Sequence, residues 1–130
     1  METIFQSLKG KNVLITGSSR GIGRALAEGF LQNGANVALH GTKKSAAMDE
    51  ALEKFSCYEG TRTAVYGDLA CPDVPEKLVS QTVEKLGGID ILISNASIQI
   101  RKPWLQITDE EMEQQTQVNF FGTIRLIQRA

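Results

Sequence analysis

Apolar and polar positions recur along this chain with two different periods. The short runs Val13-Leu14-Ile15, Asn36-Val37-Ala38-Leu39-His40, Thr63-Ala64-Val65-Tyr66 and Ile89-Asp90-Ile91-Leu92-Ile93 read as buried strands. Between them, apolar residues return at helical spacing. Ile22, Ala25, Leu26, Gly29 and Phe30 share one helical face, ended by Asn33-Gly34. Met48, Ala51, Leu52 and Phe55 mark a second helix, and Leu78, Val79, Val83 and Leu86 a third, closed by Gly87-Gly88. Asp73 and Glu76 make a capping-box pattern at the start of that third helix, with Pro75 in the first turn, where its missing N–H costs nothing. Thr108 and Glu111 make another, opening a long helix predicted to run to Ala130. Apolar strands alternating with amphipathic helices over short loops predict βαβ units and a parallel sheet covered on both faces. In such a fold the ligand crevice lies at the carboxyl ends of the strands. The loops after Ile15, His40, Tyr66 and Ile93 are therefore expected to meet there.

Those loops carry the chain's unusual residues. Thr16-Gly17-Ser18-Ser19-Arg20-Gly21-Ile22-Gly23 spaces its glycines G-x-x-x-G-x-G where a strand gives way to a helix. Glycine lets the backbone approach a bound group, and the first turn of a helix offers unpaired N–H donors and the positive end of its dipole. Together these suit a pyrophosphate. The wide turn gives Ser18, Ser19 and Arg20 room to reach a ligand; the alternative is a plain glycine-rich turn. The second loop, His40-Gly41-Thr42-Lys43-Lys44, has no carboxylate before Asp49 to hold free ribose hydroxyls. Lys43 and Lys44, with Arg20 nearby, suit the 2′-phosphate of NADP better than NAD, although a solvated helix start would look the same. In the third loop Asp68 can accept from an exocyclic amine and Leu69 can pack on a flat ring, or both simply make a turn. In the fourth, Ser94-Asn95-Ala96-Ser97, small residues allow close passage beside a ribose, and Asn95 can tie neighbouring strands together.

Composition narrows the partners. With 130 residues, 42% hydrophobic and 22% charged, the chain reads as one ordinary globular domain. A net charge of −1 argues against nucleic acid, and no apolar run approaches a membrane span. Residues 1–6 lack the charged and apolar regions of an export signal. Cys57, Cys71 and the single His40 have no metal-ligand spacing, so reduced thiols in a cytoplasmic, metal-free protein are expected.

TGSSRGIG at Thr16 to Gly23, Asp68-Leu69, Ser94-Asn95-Ala96-Ser97 and Val118-Asn119-Phe120-Phe121-Gly122 together resemble the short-chain dehydrogenase/reductase family, over essentially the whole chain. The resemblance implies the α/β fold of that family: a Rossmann-like, doubly wound parallel sheet, here its amino-terminal part of four strands and a long final helix. By that likeness Gly17, Ser19, Arg20, Gly21 and Ile22 hold the pyrophosphate and adjoining ribose. Thr42 and Lys43 sit by the adenosine ribose or its phosphate, Asp68 and Leu69 by the adenine, and Asn95, Ala96 and Ser97 along the nicotinamide side. Asn119 matches the family's helix asparagine, which supports a water in the proton relay; the alternative is a buried amide bonded to backbone. Ser97 departs from the family's usual glycine and adds a side chain where the cofactor passes. The family's catalytic tyrosine, followed four residues later by lysine, has no counterpart: Tyr58 is followed at that distance by Arg62, and Tyr66 by Ala70.

The expected activity is hydride transfer between nicotinamide and a carbonyl or secondary alcohol of a sugar, polyol, sugar acid or 3-oxoacyl thioester. These 130 residues represent its cofactor-binding domain, without the catalytic portion, and alone are expected to bind weakly and turn nothing over. Strand order as in the family leaves the fourth strand as an open edge and one sheet face without a covering helix, which invites association of these residues; the full-length protein is expected to form homo-oligomers. Arg101 or Lys102 could meet an anionic substrate or be solvated charge, and Trp104 is expected to dock its loop. Two other readings are a methyltransferase, disfavoured because no acid follows the second strand, and a non-catalytic dinucleotide-binding or interaction module.

Overall fold

The computed structural model describes residues 5–130. The residues 1–4 of the opening stretch read above for an export signal lie outside them. Four parallel strands, β1 (Asn12–Ile15), β2 (Asn36–Gly41), β3 (Arg62–Tyr66) and β4 (Ile91–Ile93), form one sheet in the order β3-β2-β1-β4. In register, Val13 lies beside Val37 and Ile91, and Ile15 beside Leu39 and Ile93. Because strand side chains alternate, Val13, Ile15, Val37 and Leu39 point to one face, where α1 (Gly21–Gln32) and α2 (Ala46–Lys54) supply Ala27, Leu31, Met48 and Ala51. Leu14, Ala38 and Val65 point to the other, against Leu78 of α3 (Val74–Leu86) and Val118 and Leu126 of the final helix. Both faces are thus covered, contrary to the expectation of a bare face. What stays open is the edge, where all three residues of β4 are only half-buried.

The structure corrects several local expectations. The buried face of α1 is Gly23, Ala27 and Leu31; Ile22 is 74% exposed, and Leu26 lies beyond the contact. Two apolar stripes one residue apart compete on this helix, and the glycine that fits against the first loop decides between them. On α3, Thr82 is buried and Val83 exposed, the threonine hydroxyl being satisfied by the Leu78 carbonyl at 2.8 Å. Asp73 makes no cap: its backbone is already helical, and its carboxylate pairs with Lys77 at 2.6 Å. That ammonium holds the Asp73 carboxyl below its usual range. The Thr108–Glu111 box forms as expected, with both reciprocal bonds present. The helix it opens is interrupted: α4 (Asp109–Thr116) passes through a wide π turn (Gln117–Phe121) into α5 (Gly122–Arg129). Trp104 and Leu105 are 77% and 83% exposed and dock nothing.

Gly29 sits inside α1 with open space where a Cβ would stand. Gly29→Ala is expected to stabilise the fold by about 0.5–1 kcal/mol, because alanine loses less backbone entropy in a helix. A thermal melt of the variant at or below the parent's midpoint would contradict this.

Candidate functional site

The strand ends are fastened to one another by buried polar side chains. Thr16, fully buried, closes β1, and its hydroxyl oxygen accepts the backbone N–H of both Asn95 and Ala96 at 3.0 Å. Asn95 returns the tie, its amide donating to the carbonyls of Thr16 and Gly17 at 3.1 and 3.0 Å. Contrary to the expectation that it reaches the ligand, Ser18 turns inward: its hydroxyl donates to the Ile15 carbonyl at 2.7 Å and accepts from the His40 N–H at 2.8 Å. His40, 3% exposed, reaches two loops at once. Its Nδ1 accepts the Gly17 N–H at 2.9 Å, and its Nε2 lies 2.8 Å from the Gly67 carbonyl. Burial pushes the imidazole below its ordinary pKa, partly opposed by the Gly67 carbonyl and the charge of Asp68.

This fastening leaves a cavity of about 500 Å³ at the carboxyl end of the sheet. Ten of the residues singled out from the sequence line it: Gly17, Ser19, Arg20, Ile22, Thr42, Lys43, Leu69, Asn95, Ala96 and Ser97. Gly21, at the head of α1, lies outside the lining, as do Asp68 and Asn119. Asp68 is exposed and closes its own turn, accepting the Ala70 N–H at 2.9 Å. His40, Gly41, Ser45 and Ile98 also line the cavity, although the sequence pattern assigns none of them a binding role. For His40 the available signal was a polar residue closing an otherwise apolar strand.

Two features set the cavity's electrostatics. Ser45 caps α2 and Thr108 caps α4, yet Arg20, in the capping position of α1, makes no side-chain cap, and no acid occupies the first turn. The first amides of that helix therefore keep their donors and partial positive charge beside the cavity. Arg20 and Lys43 add full charges, and no carboxylate is among the lining residues.

The wall beyond β4 is held by the final helix. Asn119 uses its side-chain amide to hold this wall. Both ends of that amide engage the backbone of Ile98, accepting its N–H and donating to its carbonyl at 2.8 Å each. Unlike the buried alternative, the residue is exposed. It is one rung of four: Thr123 meets Ser94 at 3.0 Å, Gln115 accepts the Ile100 N–H at 3.1 Å, and Glu111 pairs with Lys102 at 2.7 Å. Lys102 is therefore committed to a structural ion pair, and these rungs do the docking expected of Trp104.

The family model of the short chain dehydrogenases matches residues 11–130. The chain belongs to the short-chain dehydrogenase family. Among its family relatives, a glucose 1-dehydrogenase of Gluconobacter oxydans is 40% identical over 117 residues, a match spanning 88% of this chain and 43% of that protein. The crystal structure of an NADH-dependent reductase complexed with NAD superposes with a TM-score of 0.90 at 32% identity, covering 98% of this chain and 53% of the other. A 3-oxoacyl (acyl-carrier-protein) reductase from Agrobacterium tumefaciens, with NADP bound, gives 0.88 at 34% identity over 100% of this chain and 50% of its own. The chain thus spans about half the length of these short-chain dehydrogenases.

Proposed function

We propose that this domain holds a nicotinamide dinucleotide and is the cofactor-binding part of an oxidoreductase acting on a carbonyl or secondary alcohol. The observation that carries this reading is the uncapped amino end of α1 beside the cavity, with Gly17 at φ 63° bringing the backbone close. A phosphate group satisfies those donors without a side-chain cap. Gly17, Ser19, Arg20, Gly21 and Ile22 would hold the pyrophosphate and its ribose, Thr42 and Lys43 the adenosine ribose, Asp68 and Leu69 the adenine, and Asn95, Ala96 and Ser97 the nicotinamide side. The bound cofactor would supply the hydride donor or acceptor. Asn119 would support a water in the proton relay, as the family resemblance implies, while its amide holds the backbone of Ile98.

The preferred cofactor in this reading is NADP, because Arg20 and Lys43 line a cavity without carboxylates. The solved relatives are divided, one holding NAD and another NADP. Titration of the purified protein with NADPH and NADH is expected to show NADPH tighter by roughly tenfold, the scale of one charge-assisted contact. Lys43→Asp should remove or reverse that ratio. No binding of either dinucleotide would end the proposal, and tighter NADH binding would reverse the preference.

A sugar, polyol, sugar acid or 3-oxoacyl thioester is the proposed substrate class, in keeping with the glucose dehydrogenase and oxoacyl reductase among the relatives. Among the described residues, no helix is long and apolar enough to cross a membrane. The free, exposed Cys57 and Cys71 support a reducing, cytoplasmic setting. Association into homo-oligomers is supported by the open β4 edge and by exposed Phe120, Phe121, Ile124 and Ile127 on the final helix.

A further inference from the structure

We propose that His40 is a positioning residue of the dinucleotide site: as a neutral imidazole carrying its proton on Nε2, it ties the Gly17 loop to the Gly67 loop, and acidification releases the tie. The inference rests on the dinucleotide reading given above. Its basis is geometric. An amide N–H can only donate and a carbonyl can only accept, so bonds at 2.9 Å from Gly17 and 2.8 Å to Gly67 fix the tautomer. A second proton, on Nδ1, would set two N–H groups against each other. Gly17 would lose its acceptor at the residue that shapes the head of the cavity.

Asp68, on the loop after β3, is the charge that bears on the ring, and with the Gly67 carbonyl it favours the imidazolium. Arg20 at the start of α1 and Lys43 after β2 line the same cavity, while the loop after β4 brings no charge from Ser94 to Ile98. Burial outweighs Asp68 and the carbonyl, so the folded protein takes up this proton below the ordinary histidine value of 6.5. The sign follows from linkage. The unfolded chain binds the proton first as pH falls, so the stability contributed by neutral His40 is complete above 6.5 and is lost as pH falls through the lower folded value. A dinucleotide that needs the tied loops follows the same course. Simple attraction between an imidazolium and a pyrophosphate would instead tighten binding on acidification.

His40 is the chain's single histidine, so nitrogen NMR of the imidazole reads it without ambiguity. The expected result is a protonated Nε2, a bare Nδ1, a midpoint below 6.5, and Gly17 and Gly67 amide signals that move with that midpoint. The opposite tautomer, or a midpoint at or above the ordinary value, overturns the proposal. Affinity is then followed from about pH 7.5 to about pH 5 with NADH, which lacks the 2′-phosphate whose own second proton leaves near about 6. It should weaken at least about fivefold with the imidazole's midpoint. His40→Asn, whose side-chain oxygen can accept the Gly17 N–H and does not titrate, should flatten the profile, and His40→Ala should weaken binding at every pH. Unchanged or tighter NADH binding on acidification, or a wild-type pH profile in His40→Asn, also overturns it. If NADH fails to bind at any pH while the imidazole behaves as expected, the dinucleotide reading fails and the tie stands. If NADH binds while the imidazole holds the other tautomer, the tie fails and the reading stands.

Discussion

Gly23→Ala is expected to cost the domain roughly 3–5 kcal/mol and to lower its melting midpoint by roughly 10–20 °C. Gly23 stands in the first turn of α1, where that helix presses against the first loop. A Cβ there would meet the Gly17 carbonyl, with the Asn95 amide nitrogen 2.7 Å away and the Ser18 Cα 2.9 Å away. None of these can swing aside as a free side-chain tip would. Two are backbone, and the Asn95 amide is pinned by its bonds to the Thr16 and Gly17 carbonyls. The helix must therefore back away from the loop or Asn95 must surrender its bonds, and either deforms the cavity. Asn95→Ala as a background should shrink the penalty, since one obstructing group is gone. A melt of Gly23→Ala within about 2 °C of the parent would show that the contact yields easily.

Thr16→Val should lose roughly 2–4 kcal/mol, although it keeps the side chain's shape. The hydroxyl oxygen takes two backbone N–H groups, from Asn95 and Ala96, and a methyl in its place leaves both donors without an acceptor. Thr16→Ser restores the oxygen and should recover most of the loss, which separates the hydrogen bonds from simple packing. The loop after β4 also walls the cavity, so dinucleotide affinity should fall in Thr16→Val and return in Thr16→Ser. Equal stability of the two variants would show that those N–H groups find other partners. Denaturant unfolding and a dinucleotide titration of both proteins decide it.

Why the fold was legible and parts of the site were not comes down to the range of the forces involved. Strands buried on both faces are written as short apolar runs, and Val13-Leu14-Ile15 could hardly sit anywhere else. The Thr108–Glu111 box succeeded because both partners lie within one turn and Lys102 takes the other oxygen of the Glu111 carboxylate, leaving Oε2 to the cap. Asp73 carries the same local signal, but Lys77 one turn on captures its carboxylate. The buried face of α1 could not be read from spacing alone, because the choice between its two stripes depends on Gly23 meeting a loop and on Asn95, far along the chain. The glycine loop announced itself through its spacing. The roles of Ser18 and His40 did not, since each is defined by a bond to a distant backbone group; for Asn119 a backbone bond was one of two readings, but its partner Ile98 could not be read from spacing.

The π turn has a geometric consequence for the rungs Glu111, Gln115, Asn119 and Thr123. Side chains four apart on a regular α-helix creep about 40° around the axis at each step, or about 120° from the first rung to the last. A straight ribbon of chain lying alongside would soon be out of reach. By spending extra backbone on a single revolution, the helix winds part of that creep back. The irregularity works as a phase correction, keeping a coiled rod in step with the extended segment it clasps.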